Sequence, residues 1–262
     1  MDMVLGRYDT AAIQRLFEEE GIFQAVAQKG YVHPEVTVDS EARALPHVLL
    51  SGRKGGEGYL LLDACVGDAV VRGDFLRHRG YPVDRSIDLA VVHWIREEDP
   101  TATFAADRPP LPLQQHPGLG VLRQAFRVLV RMASELKKDG VVSIPKFFHD
   151  AVIFFHSRLF LFLDGEEQGR FEALVRDLRP LSLRDASLLV ANGGVRDNRG
   201  AVVEWAPGYQ VFPLSATLTA YFHSSQYAAQ VAAGLSGSRY RVDPEALSVL
   251  EVNLSQFCPP PG

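Results

Sequence analysis

Cysteine is scarce in this chain of 262 residues: only Cys65 and Cys258 occur. Cys65 lies in the apolar run Leu62-Asp63-Ala64-Cys65-Val66 and Cys258 in a proline-rich tail, so neither a disulfide framework nor a zinc site is expected. Long apolar runs are missing too. None approaches the roughly 20 residues that cross a bilayer as a helix, so no membrane span is expected. An excess of basic charge is absent: 27 Lys and Arg stand against 32 Asp and Glu, a net charge of −5. That balance argues against a general nucleic-acid binder. The opening MDMVLGRYDT has no basic start followed by an apolar core, so no signal peptide is read there and a cytoplasmic location is the expectation. No internal repeat is evident.

What is present is ordinary globular composition, 47% hydrophobic and 23% charged. Residues 9 to 29 read as a helix, capped by Asp9 or Thr10 and interrupted at Gly21. Strands are expected at Glu35 to Asp39, His47 to Ser51 and Tyr59 to Val66. The last two flank a polar glycine-rich stretch, Gly52 to Gly58, read as a hairpin with a long tip. Residues 68 to 86 are polar and poorly patterned. Ile87 to Ile95 reads as a further strand, ahead of the extended proline-rich connector Asp99 to Pro112.

The stretch Gln115-His116-Pro117-Gly118-Leu119-Gly120 then opens a long amphipathic helix, about Val121 to Lys138. Glycine allows close backbone approach, and a helix N-terminus offers unpaired N–H groups to an anion. The plain alternative is a turn before a helix. Arg123, Arg127 and Arg131 form an i, i+4 row, read as a face for an anionic ligand or partner or as a solvated face. Gly140 is expected to stop the helix. A short strand at Val141 to Ile144, a helix at Phe147 to His156 and a strand at Leu159 to Leu163 follow. This alternation predicts an α/β (α+β) fold, a mixed sheet flanked by helices, with at least one parallel crossover.

The segment Gln115 to Phe162 resembles the acyl-CoA binding core of the GNAT superfamily of N-acyltransferases. The family motif Gln/Arg-x-x-Gly-x-Gly/Ala is matched by Gln115, Gly118 and Gly120. The resemblance covers about residues 9 to 163. It implies a GNAT-like core over 1–164 and a mainly helical C-terminal extension over 165–262. It implies that the loop, Gln115, Gly118, Leu119 and Gly120, holds the pyrophosphate of acetyl-CoA or another acyl-CoA, with Arg123 as a nearby cation. The acceptor would be a small-molecule or protein amine. Three departures stand out. The proline-rich connector separates strand and loop. Phe148 and Phe155 fall where the family's Asn and its acidic Tyr are found, and phenylalanine transfers no proton. No carboxylate is placed as base, although Glu97 and Glu98 end the preceding strand. A non-catalytic interaction protein retaining this fold, with a protein partner, is therefore the alternative.

Proton handling in such a reaction falls to histidines by residue type: His93 and His116, and His149 with His156, two helical turns apart. A structural role is the plain reading for each. No metal site is expected, since no ligand pair has helical i, i+3 or i, i+4 spacing with a carboxylate beyond Asp150. Further on, two helices are expected within 165 to 192, a polar turn at Val195 to Gly200, a strand at Ala201 to Trp205 and a helix from 215 to 233.

Overall fold

The computed structural model describes residues 3–39, 45–78, 85–105, 107–156 and 160–248. The tail with Cys258 and its prolines, and residues 79–84 of the polar stretch, lie outside them. The chain folds as two compact units. The first comprises Met1–Pro110, Gln114–Ser143 and Phe212–Thr219; the second Leu111–Leu113, Ile144–Val211 and Ala220–Gly262.

The first unit opens with α1 (Thr10–Glu19) and α2 (Ile22–Gln28), which break at Gly21 as the sequence predicts. Asp9 caps α1 by accepting the Ala12 N–H at 2.8 Å, and Ile13, Leu16 and Phe17 turn inward at helical spacing. Strands β1 (Val32–Asp39), β2 (His47–Lys54), β3 (Glu57–Val71) and β4 (Ile87–Glu97) form an antiparallel meander. The long hairpin tip expected between β2 and β3 is instead a two-residue turn. Gly55 and Gly56 both take positive φ, 61° and 90°, so the strands run up to Lys54 and Glu57. Consecutive glycines suit a turn whose twist matches that of the strands it joins. β3 also reaches beyond its expected end, pairing with β4 as far as Val71↔Ile87, and the helix α3 (Gly73–His78) follows it.

After the connector comes α4 (Leu122–Glu135), which buries Val128, Leu129, Met132 and Ala133. Gly140 does not stop it. The chain leaves through Lys137 at φ 57°, whose neighbour Lys138 donates its N–H back to the Ala133 carbonyl, and Gly140 opens the next strand. That strand, β5 (Gly140–Ser143), runs parallel to β4 with Leu89 opposite Gly140. The expected parallel crossover is thus β4–α4–β5.

The second unit holds α5 (Phe148–His156), β6 (Leu161–Phe162), α6 (Gly165–Leu178), α7 (Leu183–Ala191) and β7 (Val195–Asp197). Next in the chain are β8 (Gln210–Pro213), α8 (Ala216–Phe222), α9 (Ser225–Gly237) and β9 (Tyr240–Val242). Strand order in the main sheet is β1-β2-β3-β4-β5-β8-β6, a seven-stranded mixed sheet, and β7 pairs with β9 in a second, two-stranded one. The mixed α/β class expected from the alternation of patterns is therefore the observed one.

Phe171 is the hub of the second unit's core, with the rings of Phe162, Phe155, Phe148 and Trp205 at 5.1, 5.3, 6.1 and 6.2 Å. Helices α6 and α9 touch through glycines: a Cβ on Gly169 would lie 2.1 Å from the Val231 carbonyl oxygen. Two sequence expectations fail in this region. Val195–Asp197 is a strand rather than a turn, while 201–205 makes only the isolated bridge Arg196↔Val202. The expected polar turn is confined to 198–200, where Asp197 accepts the N–H groups of Arg199 and Ala201. The single helix expected over 215–233 is two, because the Ser224 hydroxyl caps a new start by accepting the Tyr227 N–H.

Candidate functional site

The glycine loop lies in the first unit, and its backbone is already engaged. Helix α4 has no side-chain cap of its own. The carboxylate of Glu97, at the end of β4, takes that place: it accepts the Gly120 N–H at 2.7 Å, with the N–H groups of Leu119 and Val121 on either side adding to the pull on its charge. Three successive N–H groups at a helix start form an anion-binding concavity. A Cβ on Gly118 would lie 2.8 Å from Glu97 Oε1, so the glycine makes room for the carboxylate. Burial pushes the Glu97 carboxyl above its usual range, outweighing the loop N–H groups and the nearby Lys29, which pull it down. The carboxylate thus occupies its place at a desolvation cost.

A second carboxylate fixes the loop's approach. Asp99 donates its backbone N–H to the Pro117 carbonyl at 2.8 Å. Its buried side chain accepts from the hydroxyls of Tyr31 at 2.7 Å and Thr101 at 3.0 Å, and from the Lys29 ammonium at 3.4 Å. Burial alone would raise the Asp99 carboxyl, but these donors hold it below the usual carboxylate range. Lys54 joins the same cluster through Thr101 Oγ1 at 2.8 Å.

The remaining loop residues divide. Gln115 and Gly120 are exposed, His116 and Gly118 half-buried, and Leu119 is buried. His116 makes no hydrogen bond among the described residues. Of the arginine row, Arg127 pairs with Glu20 at 2.7 Å and Arg131 with Glu19 at 2.5 Å, tying α4 to the end of α1. Arg123, one residue into α4, is exposed and has no partner among the described residues. His93 is exposed on β4, its ring lying over Gly67.

His149 and His156 belong to the second unit. They do not share an environment: His156 is exposed at the end of α5, whereas His149 is buried. His149 lines a cavity of about 440 Å³ within this unit, together with Phe148 and Trp205, the end of α7, and Lys146 and Glu204. Its ring stacks on Phe147 with centroids 5.4 Å apart and planes 2° from parallel. Burial pushes the imidazole below the ordinary histidine value against the pull of Asp150, whose carboxyl is itself raised by burial. Nε2 stands 3.5 Å from Asp150 Oδ1. A neutral ring with its proton on Nε2 faces that carboxylate and leaves Nδ1 as an acceptor. Nδ1 is buried with no hydrogen-bond partner. An unsatisfied buried acceptor costs about 1–3 kcal/mol.

Phe148 and Phe155, where the resemblance implies polar groups, pack into the second unit's core. Asp99, Tyr31 and Lys29 carry no motif in the sequence. The one local signal for Glu97 is its place at the end of the strand that precedes the loop. Among the described residues no cluster of three or more His, Cys, Asp or Glu has the geometry of a metal site, and no helix is long and apolar enough to cross a membrane. No family model, curated protein or solved structure matches the chain.

Proposed function

We propose that the chain is an acyl-CoA-dependent N-acyltransferase-like protein of the GNAT type, acting on an amine. The observation that carries this reading is the concavity at the start of α4, in the crossover from β4 to the parallel β5, where the Gly120 N–H and its neighbours hold one carboxylate. Loops of this position are where ligands bind in parallel α/β layers. A pyrophosphate displacing Glu97 would find the same donors, with Lys29 close by and Arg123 unpaired on the first turn. The reaction joins the amine nitrogen to the acyl carbon, breaks the carbon–sulfur bond and leaves a thiolate that takes up a proton.

One observation favours a second reading. The concavity is filled by the chain's own carboxylate, and Phe148 and Phe155 offer no acid. A non-catalytic interaction protein with this loop as a structural clasp is the alternative. Calorimetric titration of the full chain with acetyl-CoA, with a nucleotide and desulfo-CoA as controls, separates the readings. Saturable acetyl-CoA binding that is lost in Gly118→Glu and weakened in Arg123→Glu supports the acyl-CoA reading. Folded protein that binds no CoA species overturns it. Thiol release with a panel of amines then distinguishes turnover from binding alone.

A further inference from the structure

The second unit carries a cavity that the acyl-CoA reading does not use. We infer that this cavity binds a small apolar zwitterion, an α-amino acid with an aromatic or large aliphatic side chain. The inference does not rest on the acyltransferase reading.

The walls set the body of the ligand. Phe148, Val190, Val203 and Trp205 present aromatic and aliphatic surface, and the space of about 440 Å³ holds a compact molecule. Trp205 adds no free donor, because its indole N–H is given to the Pro145 carbonyl at 3.1 Å. The Ser187 hydroxyl is likewise given to the Leu183 carbonyl at 2.7 Å. These bonds lock the walls and leave them apolar in effect.

The charges set its ends. Lys146 and Glu204 both line the cavity and are exposed. Neither has an ion-pair or hydrogen-bond partner among the described residues; Lys146 contacts the Phe147 ring, its ammonium 5.5 Å from the centroid. An unpartnered cation and an unpartnered carboxylate among the lining residues match a ligand bearing both signs. A simple anion would meet Glu204, and a simple amine would meet Lys146. A wholly apolar ligand would leave both side chains without a partner.

The test is titration of the full chain with L-phenylalanine and L-tryptophan, with 3-phenylpropionate and phenethylamine as one-charge controls. Saturable binding of an amino acid, at least about tenfold tighter than either control, is expected. Ala191→Trp is the blocking variant: Ala191 ends α7, lines the cavity and is exposed, so the larger ring fills space without entering the core. It should abolish binding while circular dichroism stays unchanged. Glu204→Gln should weaken the amino acid and phenethylamine about tenfold and tighten 3-phenylpropionate; Lys146→Met should weaken the amino acid and 3-phenylpropionate and tighten phenethylamine. The inference is overturned if neither amino acid binds at millimolar concentration, if a one-charge control binds as tightly, or if folded Ala191→Trp binds as well as the parent chain.

Discussion

Replacing Glu97 by Gln tests the loop most sharply, because the two side chains differ by one charge at nearly constant shape. In the parent chain an incoming pyrophosphate must displace a carboxylate that accepts the Gly120 N–H at 2.7 Å. Hydrogen bonds to a charged acceptor contribute about 1.5–3 kcal/mol and neutral ones about 0.5–1.5 kcal/mol, so the amide holds the concavity more weakly by roughly 1 kcal/mol. Once displaced, a carboxylate about 6 Å from a phosphate charge repels it by ~3 kcal/mol at an effective dielectric near 20. The loop is partly exposed, and screening reduces this to about 1 kcal/mol. The sum, about 2 kcal/mol, corresponds to roughly thirtyfold tighter binding of acetyl-CoA by Glu97→Gln. Protonation should mimic the substitution. The Glu97 carboxyl titrates above its ordinary value, so it becomes neutral as pH falls through that raised value, and the parent chain should gain affinity there while the variant does not. Dephospho-CoA is the ligand for this arm, since it lacks the phosphomonoester that itself titrates near pH ~6. Calorimetry measures both. Equal affinities in the parent and a folded Glu97→Gln, at every pH, would refute competition at the concavity and with it the placement of the phosphates there.

Three predictions concern stability, each read by chemical denaturation with unchanged m-value. Asp139 is buried and accepts from both terminal nitrogens of Arg85, at 2.8 and 2.5 Å, and from the Asp88 N–H at 2.9 Å. Burial alone would raise its carboxyl, but these donors and Ser215 hold it low. Asp139→Asn should therefore lose about 2–3 kcal/mol, less than a fully buried pair because Arg85 is half exposed. Because the folded value is depressed, this contribution is present above the unfolded value of about 3.9 and is lost as pH falls through the lower folded one; a loss under about 0.5 kcal/mol at neutral pH would contradict the argument. Gly169→Ala should destabilise by about 1–3 kcal/mol despite alanine's better helix propensity, because its methyl would meet the Val231 carbonyl oxygen at 2.1 Å. Lys137→Gly should stabilise by about 0.5–1 kcal/mol, since Lys137 sits at φ 57° where a side chain is strained; a loss of stability there would show that the lysine stem contributes more than its backbone costs.

Local chemistry determined much of this fold. The helical stripes of α1 and α4, the Asp9 cap of α1, and the apolar strands β4 and β5 are legible because period and cap act over a few residues. Gln115 to Gly120 was legible as a loop against a helix start for the same reason. Its occupant was not. Glu97 lies 23 residues before Gly120, and nothing in either segment's pattern says that the carboxylate returns to cap the helix. Asp99 needs Tyr31, 68 residues earlier. The three residues of β7 have no periodic signal and become a strand only because β9 lies beside them. The cavity draws on residues 112, 146–149, 187–193 and 202–205, four stretches that only the folded chain brings together. Sequence by itself determines what each segment prefers, through backbone propensity and side-chain period. Which carboxylate meets which N–H, and which imidazole nitrogen is left unpaired, depends on contacts between distant segments, and those were decided by the tertiary structure alone.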